Sequence, residues 1–293
     1  MSDQATPEHL TPDQVTRIAI PSKGRLRESV LELLAHAGYS RRSFDRMNAS
    51  AIVEGIEFIE MRPSDAAAWL GEGRLDAAFV STDTALENEI EDWPSLELGF
   101  SRSDLIVAVK EDAPFTSLND LDGMTIATHL PRWTERWMRR SGVDAHIVAM
   151  GGSLEGVCAV GMADAIVDLR ETGGSLQRNR LRVLADGHGC QATFMWSEAS
   201  AGPIANVKLR LEAALAARLT QYVMLHLPAD RVVDLGQVFP GLAAPTVLPL
   251  AGRDDLVAAH IVVKRKNLWS KLGELRAMGA TGIVALNTDA IVD

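Results

Sequence analysis

Short apolar runs and helically spaced apolar stripes alternate along most of this chain. Arg17-Ile18-Ala19-Ile20, Leu75–Val80, Asp104–Val109, Met124–Thr128, Ile147–Ala149, Ala165–Val167, Leu181–Leu184 and Ala192–Trp196 each predict a strand. Ile56–Met61 alternates apolar with polar, as a half-buried strand does. Between the runs, Leu26, Val30, Leu33, Leu34 and Ala37 recur at helical spacing before Gly38 stops the pattern. Pro63-Ser64-Asp65 opens another helix, one more passes through Ala85 and Leu86, and Arg132–Arg140 forms a basic one. Its Trp133 and Trp137 stand at i,i+4 and read as core contacts. Strand–helix alternation of this kind predicts an α/β fold with mainly parallel sheets.

The rhythm changes after Ile204. Val207, Leu211, Leu215 and Leu219 form one stripe of a long helix. The order that follows is strand Tyr222–Leu227, helix Asp230–Phe239, strands Thr246–Leu250 and Leu256–Val263, helix Leu268–Met278 and strand Gly282–Leu286. That order, βαββαβ, is the ferredoxin-like unit.

Composition narrows the function classes. The 293 residues suffice for two or three cores, and 47% hydrophobic with 23% charged residues fits a soluble globular chain. A net charge of −10 opposes nucleic-acid and anionic-membrane surfaces. If the ligands are phosphates, the charge calls for a local basic pocket inside an acidic envelope. Cys158 and Cys190 form no C-x-x-C pair and read as small core residues. The start Met1–Thr6 lacks the apolar core of a signal peptide, and no apolar run is long enough to span a membrane. Together these predict a cytoplasmic protein without a protein-built metal site.

Two loops carry candidate chemistry. Pro21-Ser22-Lys23-Gly24-Arg25 joins a strand to a helix, an arrangement that suits an anion; the plain alternative is a solvated loop with two cations. Glu171-Thr172-Gly173-Gly174-Ser175 follows the run Ala165–Val167. Adjacent glycines let backbone N–H groups converge, and Thr172 and Ser175 add hydroxyls, so the loop suits a phosphate. An ordinary glycine-rich turn is the alternative. Arg62 ends the alternating strand, and Asp83 opens the next helix as its candidate cap.

The residues around the second loop extend the motif. Glu155, Gly161, Ala163, Asp164, Ile166, Asp168, Thr172, Gly173, Ser175, Leu176, Asn179 and Leu181 stand at the spacing E-x5-G-x-A-D-x-I-x-D-x3-T-G-x-[ST]-L-x2-N-x-L. This pattern closely resembles the signature of the ATP phosphoribosyltransferases, which open histidine biosynthesis. Lys23-Gly24-Arg25-Leu26, Arg62-Pro63-x-Asp65 and Gly71-x-Gly73-x-x-Asp76 are similar to further motifs of that family. Met224-Leu225-His226, Pro240-Gly241, Pro245-Thr246 and Leu248-Pro249-Leu250 resemble the regulatory domain of its long form.

The resemblance implies a two-lobed, periplasmic-binding-protein-like catalytic part followed by the ferredoxin-like regulatory domain. Lobe I would comprise 16–104 with 182–204 and lobe II 105–181, after an arm at 1–15. A linker helix at 205–219 would lead to the regulatory domain at 220–293. The implied reaction moves the phosphoribosyl group of phosphoribosyl pyrophosphate to N1 of ATP and releases pyrophosphate. Glu171, Thr172, Gly173, Gly174, Ser175 and Leu176 would hold the 5-phosphate and ribose. Asp168 and Glu155 would hold ribose hydroxyls or lie beside the cationic ribose, with Lys23, Arg25 and Arg62 offsetting phosphate charge. Arg62 and Asp83 would lie against the adenine nucleotide. Asp168, Glu155 and Lys23 are the catalytic candidates. Mg²⁺ would arrive on the substrates. Free histidine would inhibit, bound near Leu242, Thr246 and Gly282 between C-terminal domains of a homo-oligomer that forms a dimer and a hexamer.

Three positions depart from the family pattern. Its C-R-L appears as Ser103-Asp104-Leu105, a usual glycine is Thr82, and A-T-x-Y-P appears as Ala127-Thr128-His129-Leu130-Pro131. They keep open a divergent or inactive paralogue acting as a regulatory or small-molecule-binding protein. A solute-binding protein is a third class, opposed by the basic Lys23–Arg25 loop and the additional C-terminal domain.

Overall fold

A computed structural model describes residues 15–239 and 245–292. The first fourteen residues of the arm, the Pro240-Gly241 pair and the candidate Leu242 lie outside the described residues. By its internal contacts the chain forms two compact units, one through Leu31 with Arg42–Ile204, the other Glu32–Arg41 with the chain from Ala205 onward.

The first unit opens with β1 (Thr16–Pro21), α1 (Gly24–His36), α2 (Arg41–Asp45), β2 (Ser50–Val53) and β3 (Ile56–Met61). It continues through α3 (Pro63–Gly71), β4 (Ala77–Ser81), α4 (Thr82–Glu87), β5 (Ser95–Glu97) and β6 (Ser103–Lys110). Then come β7 (Thr125–Thr128), α5 (Pro131–Arg140), β8 (His146–Ala149), α6 (Leu154–Ala159), β9 (Ala165–Arg170), α7 (Gly174–Arg178), β10 (Leu181–Cys190) and β11 (Ala192–Trp196). One sheet has the order β2-β3-β1-β4-β11-β5 and the other β10-β6-β9-β7-β8. The chain enters the second sheet at β6 and returns to the first at β11. Two sheets crossed twice make the two-lobed, periplasmic-binding-protein-like arrangement.

Burial on both faces explains why the central strands read as unbroken apolar runs. Leu105, Val107 and Val109 of β6 join Val167 in one core cluster, while Ile106 and Ala108 join Ile166, Leu154 and Cys158 in another. Each valine, leucine or isoleucine among them contributes about 1.5–3 kcal/mol on burial.

The structure corrects three sequence-based expectations. The sheets are mixed, because β2, β5, β6, β10 and β11 all pair antiparallel with their neighbours. The return to lobe I falls at β11 and not at 182, since β10 pairs with β6 as far as Cys190. Asp186-Gly187-His188-Gly189 broke the apolar pattern there, yet the backbone keeps pairing through two register irregularities. Any side chain at Gly187 would strike the Trp137 ring and the Leu105 carbonyl at 2.9 Å. Glu32–Arg41 cluster with the second unit, where Arg210 donates to the Ala37 carbonyl at 2.7 Å and covers the Tyr39 ring at 3.8 Å. The short α2, β2 and β5 carried no periodicity long enough to predict.

The lobes are fastened at α4 and α5. The Glu87 carboxylate accepts the N–H groups of Arg132 and Trp133 at 3.1 and 3.0 Å, at the start of α5. Arg136 of α5 returns the contact, donating to Glu89 at 2.8 Å and to the Leu86 carbonyl.

The second unit contains α8 (Ala205–Leu219), β12 (Thr220–Pro228), α9 (Val232–Val238), β13 (Thr246–Leu250), β14 (Arg253–Lys264), α10 (Arg265–Ala277) and β15 (Thr281–Leu286). Its antiparallel sheet runs β13-β14-β12-β15, which is the ferredoxin-like order.

Candidate active site

β9 delivers Asp168 near its C-terminal end. The Asp168 Oδ1 accepts the Leu169 N–H at 2.7 Å and stands 3.5 Å from the His129 Nδ1. After Arg170 the chain turns through Glu171-Thr172-Gly173, and Gly173, with φ of +77°, starts α7 from the left-handed region that only glycine adopts without strain. A Cβ built at Gly173 would meet nothing within 4 Å, so the turn opens into empty space.

α6 brings Glu155 to the same loop, where its Oε1 accepts the Ser175 hydroxyl at 2.5 Å. Asp168, Glu155 and the whole loop from Glu171 to Leu176 line one cavity of about 380 Å³. Arg25, Arg170 and Arg178 also line it. Sequence reading missed Arg178, although it lies one helical turn from Gly174 and its Nη1 would touch a Cβ there at 3.7 Å.

The cavity is mixed in charge, a correction to the basic pocket expected from an acidic chain. Its three arginines face three carboxylates. Arg25 pairs with Glu171, Nη2 reaching both carboxylate oxygens at 2.6 and 2.5 Å. Arg170 of β9 bridges Asp104 of the adjacent β6 and Asp186 of β10 beyond it, at 3.0 Å each. Asp104 thus anchors a cavity arginine instead of supplying a cation itself.

Burial raises the Asp168 carboxyl above its ordinary range, and Glu155 and Asp83 add to the rise against the pull of the Leu169 N–H and His129. Burial disfavours the charged form of His129, but Asp83, Asp168 and Glu87 outweigh it and leave the imidazole above its ordinary value. Cys158 and Cys190 are buried and unpaired, and burial pushes the Cys190 thiol up to about 12. Both are inert core residues, as their sequence setting predicts.

Lys23, Arg62 and Asp83 do not line this cavity. Lys23 and Arg62 are exposed, and Arg62 is the N-cap of α3 without using its side chain. Asp83 is buried on α4, its Oδ2 lying 3.9 Å from His129 Nε2. It is not the cap of α4, the alternative reading of that residue. Ser81 is, with its N–H donating to Thr84 Oγ1 at 3.3 Å and that hydroxyl donating back to the Ser81 carbonyl at 2.8 Å. Asp76 is structural, accepting the Arg17 N–H at 2.8 Å and the Ser200 hydroxyl at 2.9 Å.

The family model for ATP phosphoribosyltransferase matches residues 62–213, and that for the HisG C-terminal domain matches residues 217–289. The ATP phosphoribosyltransferase of Methanococcoides burtonii is 32% identical over 94% of this chain and 99% of its own length. That of Halobacterium salinarum is 34% identical over 94% of this chain and 100% of its own. The chain belongs to the ATP phosphoribosyltransferase family. In structure, the ATP phosphoribosyl transferase (HisG:HisZ) complex from Thermotoga maritima provides a chain with TM-score 0.59 and 26% identity. The match spans 97% of that chain and 68% of this one.

Membership gives the departures from the family pattern structural meaning. The Thr82 hydroxyl donates to the Gln191 carbonyl at 3.1 Å and accepts the Gln191 N–H at 3.2 Å, tying α4 to the return crossing. Leu130, where an aromatic hydroxyl is usual, is 2% exposed and packs into the lobe II core.

In the second unit, Thr246 lies on β13 and Gly282 on β15, the two opposite edges of one sheet. Three strand spacings separate those edges, about 14 Å. One chain does not bring these two predicted residues together. Gly282 has φ of +56°, and a Cβ there would meet the His226 Nδ1 at 3.3 Å.

Proposed function

We propose that this chain transfers the phosphoribosyl group of phosphoribosyl pyrophosphate to N1 of ATP, releasing pyrophosphate in the first step of histidine biosynthesis. The observation that carries the reading is the Thr172–Ser175 loop opening into a cavity shared with Glu155 and Asp168. The N1 lone pair forms the new bond to the ribose C1 as the C1–oxygen bond breaks, and pyrophosphate leaves with that electron pair. C1 gains positive charge and the leaving group negative charge, so positioning and fixed dipoles supply the catalysis. Asp168 and Glu155 face the ribose, the loop amides hold the 5-phosphate, and Arg25, Arg170 and Arg178 offset phosphate charge. Lys23, Arg62 and Asp83 serve the nucleotide side. Mg²⁺ enters on the phosphates, which it prefers to protein ligands.

The second unit is read as the regulatory part, binding free histidine between two copies and favouring a larger, less active assembly. The chain is read as cytoplasmic. Among the described residues no helix is long and apolar enough to cross a membrane, which is compatible with that reading. Mixing the protein with ATP, phosphoribosyl pyrophosphate and Mg²⁺ tests the activity. New ultraviolet absorbance from an N1-substituted adenine is expected. Its absence, with the protein folded, favours the divergent paralogue.

A further inference from the structure

His129 has no part in the roles assigned so far. It leaves β7 at the seam of the lobes, where the Thr128 Oγ1 accepts the Leu130 N–H at 3.0 Å and fixes the turn into α5. Its ring faces a carboxylate from each lobe, Nδ1 at 3.5 Å from Asp168 Oδ1 and Nε2 at 3.9 Å from Asp83 Oδ2. The Asp83 side chain is only 6% exposed, and its Oδ1 is buried without a hydrogen-bond partner among the described residues. A carboxylate so placed is costly as an anion unless a cation stands beside it. The charged groups acting on the ring are Asp83 and Glu87 of α4 and Asp168 of β9, all acidic. Glu155 of α6 adds its charge to Asp168.

We propose that His129 is a positioning residue for the transfer, an imidazolium that spans the seam, holds Asp83 and Asp168 in place and cancels their repulsion of a polyanionic substrate. The proposal rests on the transferase reading. It acts through the two carboxylates, so its signature is in substrate affinity and in pH. The folded-state imidazole lies above its ordinary value. The charge is therefore complete below the ordinary histidine range and disappears as pH rises through the raised value. Above that point Asp83 and Asp168 stand uncompensated, and the KM for phosphoribosyl pyrophosphate climbs.

The test measures kcat and KM across about pH 6 to 9 for wild type, His129→Gln and His129→Lys, beside an NMR titration of the ring. Wild-type KM should rise about tenfold along an alkaline limb, roughly the effect of one pKa unit of interaction. His129→Gln should start about tenfold high and stay flat, with kcat changed less. His129→Lys, which keeps the charge, should restore the low KM and carry it to higher pH. An alkaline limb that persists unchanged in His129→Gln overturns the proposal. The ring itself should titrate above the ordinary histidine value in wild type and fall toward it in Asp168→Asn. An ordinary value in wild type overturns the clasp. If wild type shows no turnover, the transferase reading fails on its own, and the ring titration still upholds or overturns the clasp.

Discussion

The Ser175 hydroxyl meets the Glu155 carboxylate at 2.5 Å, joining the loop after β9 to the helix before it. The contact fixes both partners: Glu155 is oriented toward the cavity and the loop is pinned at the first turn of α7. Ser175→Ala removes a hydrogen bond to a charged group, worth about 1.5–3 kcal/mol. The expected result is a fall in kcat/KM of roughly 10- to 100-fold with the fold intact. A Ser175→Ala enzyme with wild-type kinetics would show that the loop holds its shape without Glu155.

The two loop glycines should separate backbone from ligand effects. At Gly174 a methyl would meet Arg178 at 3.7 Å and Thr172 at 3.9 Å, both ordinary contacts. Gly174→Ala should therefore keep its melting temperature while raising the KM for phosphoribosyl pyrophosphate, because the methyl stands at the mouth of the loop. Gly173→Val forces a branched residue into a positive φ, at a cost of about 1–2 kcal/mol in stability. Equal kinetics for Gly174→Ala and wild type would return the loop to an ordinary turn.

Asp168 trades stability for function. Its folded carboxyl titrates above the ordinary range, so its favourable contribution is present at low pH and is lost as pH rises through the raised value. Asp168→Asn should then melt higher than wild type near neutral pH, and the difference should shrink as pH falls through the raised value. The same variant should lose most of its turnover. A lower melting temperature at neutral pH would contradict the assignment.

Histidine control should depend on protein concentration. Thr246 and Gly282 stand on opposite edges of one sheet, so a site built from both must take them from different copies. Free histidine should slow the full-length enzyme and make it sediment faster, and dilution should weaken the effect. Truncation after Leu219 should remove it. A coupling of about 1–3 kcal/mol suffices. Histidine inhibition that is unaffected by dilution or by truncation would remove the second unit from the regulatory role.

Much of this architecture was legible because the sequence speaks clearly about local period. The βαββαβ order of the second unit and the strands of the first were written in spacing, as was the Asp168–Ser175 loop. Pairing partners were not. Nothing local in Leu181–Cys190 tells that β10 stays with β6 past a glycine-rich stretch, since the decision belongs to the neighbouring strand. The fate of charges was equally hidden. Asp104 stands where the family pattern has an arginine and is the partner of Arg170, and Arg25 is held by Glu171. His129 stands at a variable motif position, and its meaning comes from Asp83, 46 positions earlier, and Asp168, 39 positions later.

The carboxylate of Glu87 ends another lobe's problem. α5 has Leu130 as its N-cap, which offers no side-chain cap, and Glu87 satisfies two of its first N–H groups from α4. Lobe II therefore borrows a necessary part from lobe I, and neither sheet with its helices is self-sufficient. The two lobes should melt as one cooperative transition, with a single calorimetric peak whose van't Hoff and calorimetric enthalpies agree for a protein of residues 1–219. Two sheets make them look like separate domains, yet the start of one lobe's helix is capped from the other.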